Sequence, residues 1–178
     1  MNKFVFLLAF IFLFFASSSF AQTDKLFDAA RNNDVKTLEE LIKNGADVNS
    51  ADERGFTALI IGCYNGSFEA VEILLKNKAA VAKKDKSERT ALMSASFRGN
   101  LKTIELLIKN GSDVNDKDIV GATALMFASI VGKADIVKFL LEKGADAKAV
   151  DERGNTAISL AEQQGADEVV AILKEKMK

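Results

Sequence analysis

The sequence predicts an all-α solenoid of five stacked helix-turn-helix repeats joined by extended loops. Three observations predict it. Thr-Ala-Leu stands at 57–59, 90–92 and 123–125 and Thr-Ala-Ile at 156–158, with successive threonines 33 residues apart. Single glycines recur in fixed phase with them, at Gly66, Gly99, Gly132 and Gly165. Between the two, apolar residues fall at helical spacing rather than strand spacing. Self-similarity at such a period marks an architecture in which neighbouring units complete one another's core.

The chain opens with a segment of another kind. Lys3 is its only charge, Phe4 to Ala16 is an unbroken apolar run, and a serine cluster leads to Phe20-Ala21. That order is expected of a secretory signal peptide over residues 1–21, cleaved after Ala21. The run spans 13 residues, short of the roughly 20 a membrane helix needs. No stable membrane insertion is therefore expected after cleavage. Action outside the cytoplasm is expected, in a bacterial periplasm or else secreted. Cys63 is the sole cysteine, so an exported chain must rely on packing rather than an internal disulfide.

The remaining chain, 22–178, divides into repeats at about 22–51, 52–84, 85–117, 118–150 and 151–178. Each should begin its first helix at a capping threonine, with Asp24 in that place in the first repeat. Two residues later comes an apolar anchor: Leu26, Leu59, Leu92, Leu125, Ile158. A small residue follows at Ala29, Gly62, Ala95, Ala128 and Ala161, where the next repeat must approach closely. Glycine, or Asn33 in the first repeat, stops the helix because these residues accept a left-handed turn. A second helix then carries apolar triplets such as Val71-Leu74-Leu75 and Ile104-Leu107-Ile108. It stops at Gly45, Gly111 and Gly144, and a loop such as "GADVNSADERG" leads onward.

These residues resemble the ankyrin repeat over nearly all of 22–178. "DERGFTALIIGCYNGSFEAVEILL" and "GADVN" follow the family pattern column by column. One departure is regular: where the family commonly has Thr-Pro-Leu-His, this chain has Thr-Ala-Leu-Ile, Thr-Ala-Leu-Met or Thr-Ala-Ile-Ser. The end repeats read as polar caps, with Asp28, Lys36 and Glu40 in the first and Glu162 in the fifth. On this reading the array is five complete units.

The loop between the second and third repeats stands apart. Lys78 and Glu88 occupy columns that hold glycine elsewhere. A non-glycine residue in a left-handed turn costs about 1–2 kcal/mol, so a different turn is expected here. The surrounding basic residues read chiefly as a solvated loop.

Little in the sequence supports catalysis. Histidine is absent, which removes the usual base for a nucleophile and the usual partner in a Cys/His zinc site. Asp-Glu pairs recur at loop starts, where an acid is more simply a turn former. Cys63 falls in a column of small packing residues, Ala30, Ser96 and Ser129. No enzymatic activity, metal or cofactor is expected. The formal charge of −1 for the whole chain argues against nucleic acid as main partner.

Binding is left, and columns that vary while staying apolar suggest where. Seven residues after the cap stand Arg31, Tyr64, Phe97, Ile130 and Gln163; next to them stand Asn32, Asn65, Arg98, Val131 and Gln164. The resemblance places these on a concave surface together with the loop tips. The expected partner-binding set is Arg54, Phe56, Tyr64, Asn65, Lys86, Arg89, Phe97, Arg98, Ile119, Val120, Ile130 and Val131. Apolar in the middle and polar at the ends, it has the profile of a protein contact site. An adaptor role follows, with self-association as one alternative. The resemblance also admits a ligand or haem chaperone linked to oxidative-stress defence, which would need Cys63, Tyr64, Met93 or Met126 as ligands.

Overall fold

The structure, a computed structural model, describes residues 22–178. The signal segment expected over residues 1–21 lies outside them. The described residues form helical pairs in two rows. Helix α1 covers 22–31 and α2 Val35–Lys43. Next come α3 (Ala58–Asn65) with α4 (Phe68–Lys76) and α5 (Ala91–Arg98) with α6 (Leu101–Lys109). Then follow α7 (Ala124–Ile130) with α8 (Ala134–Glu142) and α9 (Ala157–Gln163) with α10 (Asp167–Lys176). The first helices stack α3 on α5 on α7 on α9, and each also packs on the second helix of its own pair.

Local chemistry sets these boundaries. Thr57, Thr90, Thr123 and Thr156 are extended, and each hydroxyl accepts the backbone N–H three residues on. The first repeat differs from expectation. Its chain is already helical at residue 22, so Asp24 lies inside α1 and is no N-cap. In the other repeats an aspartate five residues before the cap fixes an extended approach; that column holds Ser19 here.

The anchors Leu26, Leu59, Leu92 and Leu125 are buried in one continuous core, with Leu74, Ile104, Leu107 and Leu140 from the second helices. Burying one such side chain fully is worth about 1.5–3 kcal/mol. The small column is tightly enclosed: a Cβ on Gly62 would stand 3.2 Å from Cγ2 of Val71. Cys63, Ser96 and Ser129 are wholly buried beside it. Ser96 and Ser129 satisfy their hydroxyls by donating to carbonyls one turn back, at Leu92 and Leu125.

The loop aspartates organise the tips. One carboxylate oxygen of Asp52 accepts the N–H of Arg54 and of Phe56, each at 2.8 Å. Asp85, Asp118 and Asp151 do the same for the residues two and four positions on. Successive tips are then joined by one backbone hydrogen bond each. Lys86 N–H donates to Arg54 C=O, Ile119 to Ser87, and Glu152 to Val120, all at 2.9 Å.

The different turn expected at Lys78 and Glu88 does not occur. Both are left-handed, with φ of 65° and 59°, like the glycines of their columns. The hydrogen bonds around them explain why. The N–H of Lys78 donates to Leu75 C=O and that of Ala79 to Leu74 C=O. At Glu88 the N–H donates to Asp85 C=O while the Asp85 carboxylate holds the N–H groups on either side, of Ser87 and Arg89. Together these bonds outweigh a strain of about 1–2 kcal/mol.

Candidate groove on the loop-tip face

Where the loop tips overhang the first helices, the surface folds into a run of joined hollows. One, of about 380 Å³, is lined by Arg54 and Phe56 from a tip, Ile60, Ile61, Tyr64 and Asn65 from α3, and Arg31, Arg89 and Ser94 around them. A second, of about 160 Å³, shares Tyr64, Arg89 and Ser94 with the first and adds Met93, Phe97 and Phe127. A third, of about 390 Å³, takes in Ile119, Val120 and Ile130. Lys86 borders a smaller hollow beside Arg54, Phe56 and Arg89. Arg89 lines all four. Ten of the twelve residues expected at a contact site thus line one connected groove.

The other two sit at its margin. The Arg98 side chain lies across the turn of the preceding repeat, its Nε 3.2 Å from where a Cβ on Gly66 would be. Val131 is half-buried as the C-cap of α7.

Aromatic rings run along the groove floor. Tyr64 and Phe97 stack at 6.2 Å between centroids and 8° between planes, and Phe127 meets Phe97 edge-on at 6.3 Å. The stack leaves much of both rings in solvent: Tyr64 is 56% exposed and Phe97 42%. Ile119 is 60% exposed, while Ile130 is half-buried beside it. Large apolar side chains left open in a row differ from the single exposed residues ordinary on any surface.

Phe127 is the ring that sequence reasoning missed. Its column reads Asp28, Ile61, Ser94, Phe127 and Leu160, which looks like core periodicity. Arg31 was visible in the column of Tyr64 but lay outside the expected set.

At the tips, Arg54 and Arg89 both lie over the Phe56 ring, at 4.8 and 5.7 Å from its centroid. Such contacts are worth about 0.5–1 kcal/mol at exposed sites. Arg89 is also anchored from behind. Its Nε and Nη2 donate to Asp85 at 3.0 and 2.9 Å, and the Asp85 side chain is only 1% exposed. A guanidinium held by a buried acid presents its remaining donors to the groove in a fixed orientation.

Other features fit packing better than chemistry. Burial pushes the Cys63 thiol well above its ordinary pKa, so it is not poised as a thiolate. Met93 and Met126 are 1% exposed and count chiefly as core side chains. Among the described residues, no group of three or more Cys, Asp or Glu is arranged to hold a metal ion. A larger hollow of about 750 Å³ lies between α1 and the first tip, but its lining is mainly loop residues with Asp24, Asp52 and Glu53. Only Phe27 adds an aromatic ring there, and that ring is buried.

The family comparison fits this arrangement of caps, small columns and tips. The pattern described as ankyrin repeats in three copies matches residues 26–118, and that of ankyrin repeats in many copies matches 107–161. The chain belongs to the ankyrin-repeat family. Ankyrin repeats are in general non-enzymatic protein-interaction modules, and a protein partner is the coarse conclusion for this chain as well. A search of curated proteins found no match. Among the described residues, no helix is long and apolar enough to cross a membrane.

Proposed function

We propose that this ankyrin-repeat protein is a non-catalytic adaptor exported from the cytoplasm, binding a partner protein through the groove and loop tips. The observation that carries the reading is the exposed Tyr64–Phe97 stack, continued by Phe127, on the face where the tips overhang the helices. Tyr is a common energetic anchor in protein contacts. Binding there needs little ordering, because neighbouring repeats already fix the rings and tips. Export rests on the pattern of residues 1–21, and a periplasmic location is the first choice.

The test compares the parent protein with Tyr64→Ala and Phe97→Asp. Both substitutions fall on exposed side chains, so circular dichroism and the unfolding midpoint should change little. Affinity capture from envelope extract should lose the same retained protein in both variants. Equal capture by parent and variants would refute the groove assignment. Light scattering addresses self-association: a stable dimer of the parent that Phe97→Asp dissolves would favour that alternative.

A further inference from the structure

The groove is not chemically uniform along its length. The hollow at its N-terminal end is bordered by three arginines, Arg31, Arg54 and Arg89, and among the described residues no acid lines it. The acids that pair with them stand behind or beside it: Asp28 with Arg31, Asp52 with Arg54 and Asp85 with Arg89. The adjoining hollow changes character, with Tyr64, Phe97, Phe127 and Met93 among its six lining residues. The two share Tyr64 and Arg89, so one ligand side chain in each is within reach of a single extended segment.

We propose that the arginine end seats a side-chain carboxylate of the partner, and that the aromatic stretch seats an apolar side chain close to it in the same segment. This inference rests on the protein-binding role proposed above and adds the chemistry of what is bound. Charge complementarity selects the occupant. The guanidinium forks of Arg54 and Arg89 stack on Phe56 and are steadied by Asp52 and Asp85. Planar forks held in this way suit the two oxygens of a carboxylate better than a single point charge would. Apolar side chains fit the neighbouring rings, which are desolvated on contact.

The experiment uses the purified full chain and a peptide array. The array holds Asp or Glu one to four positions from Leu, Ile or Phe, with matched peptides carrying Asn or Gln, or Ser in place of the apolar residue. Retention is expected for acidic-apolar peptides, with at least a tenfold loss when either feature is replaced. Raising salt from 50 to 300 mM should weaken it, as expected of partly exposed ion pairs. The double variant Arg31→Gln/Arg54→Gln should weaken the acid preference while Phe97→Ser abolishes the apolar one. Arg89 is left intact because its loss would strand Asp85 in a buried site. Equal retention of acidic and amide peptides, or no retention at all, would overturn the proposal. So would equally tight binding of a single-stranded oligonucleotide. If Phe97→Asp loses the captured envelope protein while Arg31→Gln/Arg54→Gln keeps it at all salt concentrations, the adaptor role stands and the carboxylate assignment falls.

Discussion

The junction between the second and third repeats is built differently from the one between the third and fourth. At the rear of the latter, Asn115 makes a two-way clamp: its amide donates to Gly144 C=O at 3.0 Å, and its oxygen accepts Asp146 N–H at 2.8 Å. Asn49 forms the same clamp between the first and second repeats. The equivalent residue between the second and third is Ala82, which has no group to make it. There Lys84 crosses on that side, to the Asp116 carboxylate at 3.0 Å and to the Lys117 C=O at 3.3 Å. The front shows the reverse. A Cβ on Gly55 would stand 2.9 Å from Lys86 N, whereas the same column in the third repeat holds Glu88, whose Cβ is accommodated. The third-to-fourth junction is clamped at the rear by an amide; at the front both junctions have a tip-to-tip backbone bond and a ring contact, and the second-to-third has the closer approach of tip backbones. The tight approach at Gly55 therefore lies beside the arginine-lined end of the groove, while the amide clamp at Asn115 is built from other residues.

The largest effect is expected from Gly55→Ala. It meets a left-handed cost of about 1–2 kcal/mol and adds overpacking against the backbone of Asp85 and Lys86, about 1–3 kcal/mol more. Gly154→Ala has a similar φ of 79°, but its Cβ would meet no atom of the described residues within 4 Å beyond its chain neighbours, so only the first cost should appear in urea unfolding. Equal losses would show that front closure contributes nothing.

Next in size are the rear clamps. Asn115→Ala should lose about 1–2 kcal/mol, two neutral hydrogen bonds at their usual net worth. Ala82→Asn should recover about 1 kcal/mol by supplying the clamp where it is missing. A destabilised Ala82→Asn would mean the second junction cannot close at both faces. Smaller again, Glu88→Gly should gain about 0.5–1 kcal/mol, since relief of left-handed strain is partly offset by the added freedom of glycine in the unfolded chain.

Much of this was readable beforehand because the fold is periodic. Thr57 predicts its cap, Gly66 its stop and Gly62 its close contact through local chemistry alone, and four copies of each column reduce chance agreement. Asp24 misled because a cap depends on the backbone leading into it, which the loop aspartates set and the first repeat lacks. Glu88 misled because its strain is offset by the Asp85 carboxylate, a bond invisible to a count of glycines. In the groove, Tyr64 and Phe97 were legible as apolar residues in a variable column. Phe127 was not, since the same column is buried at Ile61 and Ser94 and half-buried at Phe127 and Leu160, and only the edge-on contact with Phe97 shows that this member joins the groove.

The smallest expected effect is on acid stability. Hydrogen bonds from Asn155, then burial offset by further backbone bonds, leave the Asp151 carboxyl below its ordinary 3.8. Asp34 and Glu69 are lowered chiefly by Thr37 and Asn33. A carboxyl whose folded pKa is depressed contributes stability above its unfolded pKa and loses it as pH falls through the folded value. The melting temperature should therefore hold from neutrality to about pH 5 and fall below about pH 4. Asn155→Ala should make that fall shallower; an unchanged slope would remove Asp151 from the account.

The row of single backbone bonds between tips carries a wider consequence. Each interior tip gives one N–H to the tip before it and takes one from the tip after it. Nothing in that rule fixes how many tips there are. A duplicated unit spliced between existing ones would find both its neighbours ready-made, so the length of the gripping surface is adjustable by whole modules while its chemistry is adjusted residue by residue.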